Sequence, residues 1–133
     1  MRLRRSAFIP PELRSRLEAA RLDTLALLRA IDQAFLPPAL LPQRQAQQLY
    51  ELDADCAEAL WALDQPAGSL DFKAMVRDSL RSLEGLPEAR EQVRTRLPLA
   101  TLPRVRRLEK AIRASLHPSE AYNDVPGRDP QAR

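Results

Sequence analysis

Residues 13–35 read LRSRLEAARLDTLALLRAIDQAF, and this stretch decides the fold. Leu13, Leu17, Ala20, Leu27, Leu28, Ile31 and Phe35 recur mostly at steps of three, four and seven, which places them on one face of an α-helix. No strand-like alternation of apolar and polar residues runs through it. Upstream, Pro11 suits a first helical turn and Glu12 suits the positive end of the helix dipole. Downstream, Pro37 and Pro38 stop the pattern. The reading is a first helix from Pro11 to Leu36, with Phe35 on its core face.

The same period continues beyond the proline-rich connection. A second helix spans Gln43 to Leu63, with Leu49, Leu52, Cys56, Ala59, Leu60 and Leu63 inward. A third begins at Ser69 or Asp71, either of which can cap it, and carries Phe72, Met75, Val76, Leu80, Leu83 and Leu86 on one face. Gly85 with Pro87 behind it predicts a stop or sharp kink, so Pro87 to Leu97 reads as a separate fourth helix. A fifth spans Leu102 to Leu116, capped by Thr101, with Val105, Leu108, Ile112 and Leu116 inward. After His117 and Pro118 the pattern disappears. The expected fold class is all-α: an up-and-down bundle of four to five helices over residues 11–116. A short basic N-terminal arm (1–10) precedes it and a flexible, disordered C-terminal tail (117–133) follows.

Composition agrees. The chain has 133 residues, a one-domain length, and its 44% hydrophobic content is enough for a core. One cysteine and one histidine exclude a disulfide framework and argue against a zinc site. With glycines at 68, 85 and 127 alone, there is no glycine-rich phosphate loop and no nucleophile elbow. No apolar run has membrane-spanning length and the start lacks a secretory pattern, so the expectation is a cytoplasmic protein, bacterial by its arginine, alanine and proline bias.

Charge is distributed in blocks. Residues 1–39 carry seven bases and four acids, 40–71 one base and six acids, and 72–116 eleven bases and five acids. Lys73, Arg77 and Arg81 form a stripe on the third helix; Arg90 and Arg94 pair on the fourth; Arg106, Arg107, Lys110 and Arg113 lie on the fifth. Side by side, these faces would meet a phosphate backbone or an acidic protein surface. Glu84, Glu88, Glu91 and Glu109 interrupt the field, and no Trp or Tyr lies between 72 and 116 to stack on bases.

The second helix carries another apolar stripe, Tyr50, Ala54, Ala57 and Trp61, set off from its core face. Leu22 and Leu25 are likewise off the core stripe of the first helix. Tyr and Trp are the types that anchor interfaces, so these six residues are the candidate partner surface. In the tail, Tyr122 and Val125 could anchor a peptide in a partner groove.

Enzymatic readings fare poorly. Cys56 sits on an apolar stripe beside Asp55 and Glu58, the wrong surroundings for a nucleophile, and His117 closes the last helix near its negative end. Glu51, Asp55 and Glu58 share a helical face and could offer oxygen ligands, but no complementary set is recognisable. The expectation is therefore a non-enzymatic binding or assembly subunit, without cofactor or metal. Its partner is a protein or its own copy, with nucleic acid as the alternative and no membrane.

Overall fold

The computed structural model describes residues 10–65, 72–117 and 120–121. The expected arm (apart from Pro10), the cap at Ser69 or Asp71 and the tail motif with Tyr122 and Val125 lie outside the described residues. Every regular element among the described residues is helical. In chain order these are α1 (Leu13–Gln33), a short 3-10 helix (Pro38–Leu40), α2 (Gln43–Leu63), α3 (Phe72–Thr95) and α4 (Leu102–Ser115).

The first three helices alternate in direction. Arg14 pairs with Asp64 and Arg21 with Asp53, so α2 runs back along α1. Asp55 meets Ser82 while Leu52 lies against Gly85, so α3 runs back along α2. The α1 helix touches all three others, and α4 packs mainly on it. The core takes Leu13, Leu17 and Leu27 from α1, Leu49, Cys56 and Leu60 from α2, Leu86 and Val93 from α3, and Val105 from α4, all fully buried. Burying each large aliphatic contributes about 1.5–3 kcal/mol.

Three sequence expectations are overturned here. The third and fourth helices are one: α3 runs unbroken through Gly85 and Pro87. A proline inside a helix costs about 3 kcal/mol. Against it stands the burial of Val76, Leu83, Leu86, Ala89 and Val93 on one face of the continuous rod, which at about 1.5–3 kcal/mol for each large aliphatic outweighs the break. Gly85 is not a cap. Ser79, Ser82 and Gly85 recur three apart facing α2, and small residues there let the two helices approach closely. A Cβ at Gly85 would lie 3.5 Å from Leu52 Cδ1. Nor does Thr101 cap α4 with its side chain; its hydroxyl donates to the Pro98 carbonyl instead, at 2.8 Å.

The third correction is Phe35. Periodicity places it in the core, but α1 ends at Gln33, Ala34 closes the last turn, and Phe35 turns to φ 55°. Once the backbone leaves helical geometry, the helical face no longer predicts direction. The Phe35 ring points outward and is 84% exposed.

Candidate functional site

The connection from α1 to α2 builds a largely apolar concavity. Phe35 occupies the left-handed region, which costs an ordinary L-residue roughly 1–2 kcal/mol and is usually left to glycine at this position. Its N–H donates to Asp32 O at 3.2 Å, so the turn is hydrogen-bonded as well as unusual. Leu36, Pro37 and Pro38 then lead through the 3-10 helix to Pro42, where α2 begins. Beneath this corner lies a cavity of about 390 Å³. Val93 of α3 is its fully buried wall, and half-buried Leu28, Ile31, Leu36 and Leu41 surround it together with Tyr50. Asp32 and Gln43 add polar groups, and Phe35 stands at its lip. Its volume is that of a small binding pocket. Tyr50 is 46% exposed there.

Tyr50 also borders a second cavity, about 290 Å³, which it shares with Leu25, Leu28, Arg29 and Asp32. Arg21 and Asp53 complete that lining. Arg21 is 3% exposed. It donates Nε–H to Asp53 Oδ1 at 3.0 Å and Nη2–H to Oδ2 at 2.9 Å, a bidentate pair, and Nη1–H to the Ala121 carbonyl. Ala121 is itself buried, and Glu120 accepts from the His117 N–H at 3.2 Å, so contact with the fold continues past residue 117. An ion pair this deep fixes the mutual register of α1 and α2 and closes the cavity with a rigid polar wall.

The residues expected to form one partner surface are divided by the fold. Tyr50 and Leu25 line the same cavity, and Leu22 and Ala54 are half-buried. Ala57 is fully buried and leaves the surface: it faces the α1 side of α2 with Asp53. Trp61, 45% exposed, lies apart. It borders a cavity of about 540 Å³ between α2 and α3 with Met75, Asp55, Glu58, Asp78 and Arg81. That concavity is lined by four charged side chains, the Phe35 cleft by one, Asp32.

The expected basic surface is also divided. Arg90 is buried, donating to Thr24 Oγ1 at 3.3 Å with Asp23 at 3.8 Å; burial lowers its pKa, and Asp23 opposes that. Arg94 is bidentate on Glu109 (3.0 and 2.5 Å) and also meets Glu91 at 3.1 Å. The hydrogen bond to Glu109 raises its pKa further. Both arginines therefore serve the interior. Arg77 lies 3.6 Å from Asp78, Arg106 is 3.7 Å from Glu91, and Arg113 is 3.7 Å from Asp23. Lys73, Arg81, Arg107 and Lys110 are exposed and make no ion pair among the described residues.

The buried charges carried a sequence signal. Asp53 is four residues after Leu49 and three before Cys56; Arg90 is four after Leu86 and three before Val93; Glu109 is four after Val105 and three before Ile112. Arg21 likewise follows Leu17 by four. A charged residue at the core period has to be paired inside.

Cys56 is fully buried, and burial, reinforced by Asp53, pushes its thiol up to about 12. At neutral pH it is a protonated core residue, not a nucleophile. Glu51, Asp55 and Glu58 do not assemble a metal centre; among the described residues no group of three His, Cys, Asp or Glu side chains could hold one. Asp55 instead accepts from Ser82 at 3.2 Å. Among those residues no helix is long and apolar enough to cross a membrane. No protein-family model, no curated protein and no solved structure matches the chain.

Proposed function

We propose that this chain is a non-enzymatic, cytoplasmic binding or assembly subunit, and that its partner surface is the cleft at the α1–α2 corner rather than the whole face of α2. The observation that carries this reading is Phe35: an aromatic held in a costly backbone conformation, 84% exposed, at the lip of an apolar cavity. Folding gains nothing from an exposed ring at a position that favours glycine. Backbone strain retained at such a place is characteristic of ligand clamps. Tyr50, about half-exposed, lines the same cavity and supplies rigid contact area of the kind interface centres use. The partner is a protein that inserts apolar side chains beneath Phe35, with a second copy of this chain as the first to test. In a two-fold pair each copy presents both the ring and the adjacent hollow, which makes the patch self-complementary.

Phe35→Gly separates function from stability. The variant should melt higher, by about 0.5–1 kcal/mol of added stability, because it relieves the left-handed strain. It should also lose association. Light scattering from low to high micromolar protein reads the second effect. A wild-type mass that grows with concentration while the variant stays monomeric supports the cleft. A variant that associates like the wild type removes it, and a wild type monomeric throughout removes the second copy as partner.

A further inference from the structure

The α4 helix shows a different kind of surface. Residues 102–115 hold five cations, Arg104, Arg106, Arg107, Lys110 and Arg113, and one acid, Glu109. That acid is 4% exposed and committed to Arg94. The solvent-facing charge of α4 is therefore positive throughout. Arg106 and Arg113, seven residues apart, share one edge, each with an acid of a neighbouring helix at 3.7 Å. Arg104, Arg107 and Lys110 wind across the rest of the outer face at intervals of three residues, exposed and without an ion pair among the described residues. Helical rise spaces them by ~4.5 Å along the axis.

We infer that this outer face of α4 docks on the phosphate backbone of duplex nucleic acid, independently of the Phe35 cleft. The partner follows from what the face has and lacks. It has a row of three unneutralised cations, two of them arginines that form paired hydrogen bonds with phosphate. Between them lie Pro103, Ala111 and Ala114, which are exposed and small. A protein interface of useful affinity needs an apolar or aromatic anchor, and this face has none. A single strand needs aromatic platforms for its bases, and there are none here either. A bilayer needs an apolar helix face, but that of α4, with Val105, Leu108 and Ile112, is packed into the core. A duplex asks for none of these. It presents one charge per ~1.7 Å of axis and binds cations by releasing counterions, without sequence preference.

The test uses the full chain and a short, labelled, mixed-sequence duplex, with binding followed by anisotropy over a salt titration. Three phosphate contacts predict log K falling against log salt with a slope of about −3. The triple variant Arg104→Glu, Arg107→Glu, Lys110→Glu should lose at least ~10-fold in affinity at low salt and flatten that slope. Lys73→Glu, Arg77→Glu, Arg81→Glu makes the same change in net charge on α3 and should stay within about threefold of the wild type. Equal losses in both variants would reduce the effect to net charge and overturn the assignment. So would an α4 variant that binds like the wild type, or equal binding to polyglutamate or to vesicles of anionic lipid. If the glutamate triple variant melts early, the glutamine triple at the same positions takes its place, with the same direction and a smaller loss.

Discussion

The α3 and α4 helices are built from the same arginine-rich material and put it to opposite use. On α3, Arg90 and Arg94 turn inward and are satisfied by Thr24, Asp23 and Glu109, while Asp78, Glu84, Glu88 and Glu91 remain on the outside among the cations. On α4 the acid is the residue that turns inward, and the cations are left facing water. The Arg94–Glu109 bond thus joins the two helices and also sorts their charges, withdrawing a base from one surface and an acid from the other. Surface charge in this fold is set by which members of each pair the core consumes, and composition alone misjudges it.

The cost of an inward charge can be measured first at its extreme. Asp53→Asn leaves the Arg21 guanidinium buried without its carboxylate and should destabilise the fold by about 3–5 kcal/mol, read as a lowered urea midpoint. A loss under about 1 kcal/mol would mean that the pair relaxes into water, and would weaken the contrast between inward and outward arginines. Glu109→Gln cuts the link between α3 and α4 where Arg94 retains some exposure, so the expected loss is smaller, about 2–3 kcal/mol. The same variant should leave duplex binding intact or raised, because the α4 face keeps every cation. Gly85→Ala alters α3 without touching charge. With Leu52 at ordinary contact distance, it should stabilise by about 0.5–1 kcal/mol and leave both association and duplex binding unchanged. A destabilised Gly85→Ala would show that the α2–α3 contact is tighter than a methyl allows.

Much of the fold was legible before the structure because core burial and helical period are the same fact seen from two sides. Leu13, Leu17, Leu49, Leu60, Leu86, Val93 and Val105 all lie where their spacing put them. The failures share a cause: local rules competing with long-range contacts. Gly85 and Pro87 punctuate the sequence, yet the apolar face continuing from Val76 to Val93 favours one rod. The site was less legible. Residue type and spacing mark Tyr50 as a candidate interface aromatic, but they place Phe35, which lines the same cleft, in the core, because the periodic pattern runs to Leu36, three residues past the end of α1. The Arg21–Asp53 pair joins positions 32 apart on different helices, and periodicity can say that each is inward without saying that they meet.

The hydrogen bond from Arg21 to the Ala121 carbonyl spans 100 residues of chain, and that separation has a consequence for synthesis. Arg21 and Asp53 both leave the ribosome while the last helix has yet to be made. At roughly 5–20 residues per second, Ala121 follows Asp53 by about 3–14 s. Through that interval the first helices can collapse on one another around the Arg21–Asp53 pair, while the hydrogen bond to the Ala121 carbonyl has yet to form. The tie between α1 and Ala121 is therefore added last, onto helices that have already had time to meet.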